Sequence, residues 1–159
     1  MNVAGKSAVE AILASTEMVG LLEQRERDMR YEEFVGQVQN RARLASEGEA
    51  VTAIRATLET LGERLFGGEA HNIAAQLPRE IGHYLEEPTT NESFDLDEFF
   101  RRVSFREGVE LPEAVFHARV VIEVLKEAVS PGVIDKALDQ LPAEYDQLFK
   151  AGSKGKMAP

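Results

Sequence analysis

The chain has 159 residues, 43% of them hydrophobic and none of them cysteine, with a formal net charge of −10. That apolar fraction excludes a disordered chain, and the missing cysteine excludes disulfides, thiolate metal sites and a cysteine nucleophile. The negative charge is shared between residues 31–87 (−5) and 88–150 (−6), which disfavours nucleic acid and anionic lipid as partners and favours solubility or a basic partner.

Residues 1–28 carry Val9, Ile12, Leu13, Val19 and Leu22 at roughly helical spacing, interrupted by Glu10 and Glu17. This predicts an amphipathic helical extension, broken near Gly20, that docks on the core or on another chain. It is neither a signal peptide nor a membrane span. Cytoplasm is the compartment this predicts.

From Tyr31 a helix is expected with Phe34, Val38 and Leu44 as its apolar marks. Ser46 and Glu49 then have the spacing of a capping box. The next helix carries Val51, Ile54, Leu58, Leu61 and Leu65, three and four residues apart, as a buried stripe requires. Phe66-Gly67-Gly68 ends it. A third helix, "EAHNIAAQL", runs to Pro78, and a fourth passes through Ile81, Tyr84 and Leu85. Residues 88–95 are polar and read as a linker.

The pattern then recurs. Asp95 and Glu98 form a capping signal, Phe99, Phe100 and Val103 face inward, and Pro112 starts a helix whose run "EAVFHARVVIEVLKEAV" is predicted to be the most buried segment. Ser130-Pro131-Gly132 is a turn, "VIDKALDQL" follows, and "PAEYDQLF" closes the unit before a tail over 151–159 expected to be disordered. Residues 49–78 set over 113–142, a shift of 64 without gaps, agree at eleven of thirty positions. The first helices match at a shift of 65, "FVGQV" against "FFRRV". Duplication of one supersecondary unit follows from such self-similarity.

The doubled Gln-Leu-Pro, Gln76 to Pro78 and Gln140 to Pro142, has a mechanical reading. Proline lacks an amide donor and pushes the residue before it out of the helical region, so the third helix must end at the leucine. Proline then opens the fourth helix, the leucine packs inward, and the glutamine caps a free backbone group at the corner.

The fold expected is therefore all-α: a tandem duplication of a three-to-four-helix unit packed as a compact bundle with pseudo-twofold symmetry, with units at 29–87 and 96–150. Each unit holds about 55 residues, marginal alone, so the two are expected to share a core.

The stretches "MRYEEFVGQV", "AIRATLETLGERL" and "GGEAHNIAAQLP" resemble the bacterial domain-of-unknown-function family numbered 2267. Its members show a Tyr/Leu-x-x-Phe opening, an arginine in the central helix and a Gly-Glu-Ala-x-Asp-Ile-Ala-Ala-Gln-Leu-Pro stretch, often twice. "LDEFFRRV" and "SPGVIDKALDQLP" resemble the second copy, and the resemblance covers residues 29–150. Asn72 departs from the usual acidic residue, Val133-Ile134 replace Glu69-Ala70, and residues 1–28 are an addition. The resemblance implies an all-helical fold, no established activity and no catalytic residues to carry over.

The candidate chemistry is sparse. Glu80 and His83 have a Glu-x-x-His spacing, but a helix-bundle metal site needs the motif twice and residues 144 and 147 are Glu and Gln. Glu113 and His117 stand four apart, yet position 53 is alanine, so the histidine reads as a hydrogen-bonded structural group. Gly67-Gly68 before a helix reads as a turn, with no strand or lysine to make it a phosphate loop. No cofactor or metal is expected, and no enzyme.

Arg55–Glu59 and Arg119–Glu123 are matched pairs four residues apart on the two central helices. They read as a polar clamp between the units, with Arg119 the more buried. The function expected is a non-enzymatic protein–protein interaction or regulatory module, or self-association. The alternative is a small-molecule or metal site between the two units.

Overall fold

A computed structural model describes residues 31–150; the expectations for residues 1–28 and 151–159 lie outside them. Every regular element among the described residues is helical. In chain order these are α1 (31–41), α2 (Glu47–Arg64), α3 (Glu69–Ala74), α4 (Arg79–Glu86), α5 (Leu96–Glu107), α6 (Leu111–Ala128), α7 (Pro131–Asp139), a 3-10 turn (Ala143–Tyr145) and α8 (Asp146–Phe149).

Local chemistry sets the boundaries. The Ser46 hydroxyl accepts the Glu49 amide at 3.1 Å, and the Glu49 carboxylate accepts the Ala45 amide at 3.1 Å, so the expected cap of α2 forms one residue wider than a reciprocal box. Asp95 accepts the Glu98 amide at 2.9 Å and starts α5. Pro112 lies in the first turn of α6 and Pro131 in that of α7, where no amide donor is needed. Past α2, Gly67 and Gly68 take φ of +69° and +84°, a left-handed path that glycine adopts without strain. Pro78 and Pro142 sit one residue earlier than expected, as the residue before α4 and before the 3-10 turn. Leu77 and Leu141 before them are buried.

One apolar cluster runs from Phe34 to Phe149 and takes side chains from α1 through α8. Its centre is α2, which packs on α4, α5 and α6; α5 also packs on α6, α3 on α4 and α7, and α6 on α8. Phe99 meets Phe100 and Tyr145 edge to face, with ring centroids 6.0 and 5.9 Å apart. The segment predicted to be most buried is not: α6 buries eight residues and α2 ten. The reason is that α2 also buries Thr57, Thr60, Gly62 and Arg64, polar or side-chain-less positions that hydropathy does not mark.

The polar segment 88–95 is stitched to the end of α2. The Asn91 side chain donates to the Gly62 and Leu65 carbonyls at 3.1 and 2.7 Å, and the Glu92 amide donates to the Glu63 carbonyl at 2.8 Å. These bonds satisfy carbonyls that a helix C-terminus leaves open.

Candidate functional site

Glutamine and arginine side chains tie residues 31–87 to residues 96–150. Gln76, on the corner before α4, accepts the Ser130 amide at 2.7 Å. Gln140 accepts the Phe66 amide at 2.9 Å and donates to the Phe66 carbonyl at 2.6 Å. Each glutamine of a Gln-Leu-Pro thus bonds the residue just past the central helix of the other half, and both the glutamines and the residues they bond stand 64 positions apart. Such bonds contribute about 1 kcal/mol each.

Three arginines cross the same junction, one of them Arg102 of α5, which reaches Glu63 of α2 at 3.1 Å. Arg41 of α1 reaches Glu123 at 2.9 Å and forks onto Glu127 at 2.8 and 3.0 Å, both on α6. Arg106 of α5 forks onto Glu63 of α2 at 2.6 and 3.0 Å, with Glu59 3.8 Å away. Bidentate arginine–carboxylate pairs of this kind fix orientation as well as charge. The hydrogen bond to Glu127 raises the Arg41 guanidinium above its ordinary value. Burial pushes Glu63 up, but its hydrogen bonds and charge contacts with Arg106 and Arg102 outweigh that and hold it below the usual carboxylate range. Glu59 goes the other way: burial, then the neighbouring Glu87 carboxylate, raise it despite Arg55. Glu87 is lowered by the interaction with Glu59 and by Arg55 and His83.

The clamp expected at Arg55 is therefore built by a different arginine. Arg55 has 56% of its side chain exposed, pairs with Glu59 at 2.9 Å, approaches Glu87 at 3.9 Å and lies over the Tyr84 ring, all within its own half. Arg119 is half-buried on α6, and the arginine brought to Glu123 from the other half is Arg41. Periodicity along one helix reveals only i,i+4 partners; contacts 82 and 43 residues apart are invisible to it. A signal was nonetheless present. Glu63 and Glu127 are among the eleven repeated identities, and Arg41 and Arg106 fall at the 65-residue shift of the first helices.

Arg64 is the buried cation that sequence reasoning missed. It is 4% exposed, donates to the Phe94 carbonyl at 2.7 Å and lies over the Tyr145 ring, 5.3 Å from its centroid. The Tyr145 hydroxyl donates to the same carbonyl at 2.8 Å, and burial pushes its phenol up to about 12. Position 128, 64 residues on, is alanine, so the repeat carried no signal for it.

The histidines are dispersed. His83 is exposed and stands 3.4 Å from Glu87; His71 is exposed beside Glu86. His117 is buried, and its Nδ1 meets Glu107, 2.5 Å away, rather than Glu113. Among the described residues no three acidic or histidine side chains converge as a metal site needs. None of the described helices is long and apolar enough to cross a membrane.

A cleft of about 920 Å³ opens between the α1–α2 and α5–α6 corners and includes Arg43, Glu49, Glu107, Glu113, Phe116 and His117. Its size falls in the range of small-molecule sites. On the far side of α5, Phe105 stands 88% exposed among Arg101, Arg102 and Arg106.

A comparison with curated proteins finds no match. The profile of the family described as Uncharacterized conserved protein (DUF2267) matches residues 31–148, all of the described helices but Phe149, and the chain belongs to that family.

Proposed function

We propose that this protein is a non-enzymatic, cytoplasmic binding module, made of two copies of one helical unit about a pseudo-twofold axis, that docks a protein partner through Phe105. The two-copy reading is supported by the exchanged glutamines, Gln76 to Ser130 and Gln140 to Phe66. The exchanged arginines, Arg41 to Glu123/Glu127 and Arg106 to Glu59/Glu63, agree with it.

Phe105 carries the docking. The phenylalanines Phe34, Phe99, Phe100 and Phe149 are buried, while Phe105 is 88% exposed. Position 40, its counterpart 65 residues earlier, is asparagine, so the shared helical plan does not need an aromatic there. Arg101 beside it is 57% exposed and only 3.8 Å-distant from Glu98. An exposed aromatic with an available arginine is the composition of an interface hot spot.

Photo-crosslinking from position 105, in the cell that makes the protein, tests this. A discrete protein adduct at 105 and none at the exposed helical position 139 is the expected result, with Phe105→Ser leaving the melting temperature unchanged. Equal labelling at both positions, or none at 105, refutes the docking surface.

A further inference from the structure

We propose that the cleft between the α1–α2 and α5–α6 corners binds a small primary ammonium ion, held by the second carboxylate oxygen of Glu107. This site is separate from Phe105 and does not rest on the docking reading.

The argument begins with Glu107. Its side chain is 4% exposed. One oxygen meets His117 Nδ1 at 2.5 Å; the other, Oε1, is buried with no hydrogen-bond partner among the described residues. A buried carboxylate oxygen without a donor is costly, and native structures supply one. Glu107 and His117 both line the cleft, whose volume of about 920 Å³ far exceeds the ~30 Å³ share of one water.

The charge of the cleft selects a cation. Glu49, Glu107 and Glu113 face a single guanidinium, that of Arg43. The helix N-termini at the cleft would otherwise attract an anion. Carboxylates and caps already take up part of that field, however: Ser46 takes the Glu49 amide, Glu49 takes the Ala45 amide and Glu113 takes the Glu110 amide at 3.3 Å.

The chemistry of the donor set selects an organic ion over a metal. No three carboxylate or imidazole groups converge here, whereas a metal ion requires several ligands at once. A primary ammonium brings three N–H donors to Oε1 and its surroundings. The half-buried Phe116 offers an aromatic wall for the alkyl stem and the charge.

Titration of the full chain with butylammonium, followed by NMR and calorimetry, tests the site. Saturable shifts at the amides of Val109, Phe116 and His117 are expected, with tetramethylammonium, which has no N–H, binding about tenfold more weakly. Glu107→Gln should weaken butylammonium by about tenfold or more, and Glu49→Gln, which keeps its capping role on an exposed rim, by a few-fold. Melting curves establish that each variant is folded, and should Glu107→Gln unfold, the Glu49→Gln result and the tetramethylammonium ratio still decide. Equal binding of the two ammonium ions overturns the proposal. So does saturation by magnesium or calcium alone, or the absence of any saturable shift.

Discussion

The two halves bring the same carbonyl to their central helices by opposite chemistry. In the first, Gly62 of α2 lies under the last turn of α4: a Cβ there would stand 2.2 Å from the Leu85 carbonyl oxygen. In the second, the residue 64 positions on is Lys126 of α6, and its ammonium donates to the carbonyl of Phe149, 64 positions after Leu85. Removing a side chain lets backbone touch backbone; extending a charged one spans the gap. The first solution accompanies a full helix, Arg79–Glu86, also pressed against α3 at Gly82, where a Cβ would stand 2.7 Å from the Ala74 carbonyl oxygen. The second accompanies a 3-10 turn and a four-residue helix. Two different interiors thus each accommodate a helix-end carbonyl.

The largest effect expected is at Gly62. Gly62→Ala forces α4 away from α2, because the obstacle is backbone and cannot rotate aside, and should cost about 3 kcal/mol in denaturant unfolding. Lys126→Ala removes one charge-assisted bond and should cost about 1–2 kcal/mol. Equal losses would dissolve the contrast between the two corners.

Gln140→Ala tests the exchange between halves. It removes two bonds to Phe66 and should cost about 1–2 kcal/mol. No loss in unfolding free energy would mean that the glutamines merely accompany the corner.

A smaller effect, of opposite sign, is expected at Arg43. It holds φ +58°, while Gly108, 65 residues on, holds φ +76° at the end of α5. A side chain in this left-handed region is strained, so Arg43→Gly should stabilise by about 0.5–1 kcal/mol in the same assay.

The smallest effect is on pH dependence, and it separates two glutamates on one helix. Glu59 is raised in the folded protein by burial and by the neighbouring Glu87. Its contribution is present below the unfolded value of about 4.3 and is lost as pH rises through the folded value. Glu59→Gln should therefore gain relative stability at neutral pH and lose that gain on acidification. Glu63, lowered by Arg106 and Arg102 against the opposing effect of burial, contributes above the unfolded value and loses it as pH falls through the folded one. Glu63→Gln should be less stable at neutral pH, with the deficit closing in acid. Parallel melting curves across pH 3 to 7 for the two variants would contradict the assignment.

Much of the fold was legible because it is written locally. Ser46 and Asp95 announce their helices, and the stripe through Ile54, Leu58 and Leu61 is buried as its spacing requires; Pro78 and Pro142 each follow a buried leucine, but the helices before them end earlier than expected, at Ala74 and Asp139. The junction was less legible. Arg55 and Arg119 drew attention because their partners stand four residues away, while Arg41 and Arg106 have theirs across the molecule. Gly62 and Arg64 carried no pattern, since one acts through a missing side chain and the other through the Phe94 carbonyl and the distant Tyr145 ring.

Sequence by itself determined the helical class, the order of elements and the corners, because capping, periodicity and proline stereochemistry act within a few residues. Tertiary structure alone decided which arginine meets which glutamate, where a glycine is indispensable and which carboxylate loses its donor on burial. Those outcomes depend on distances between residues far apart in the chain, and folding fixes such distances only once the halves are packed on one core.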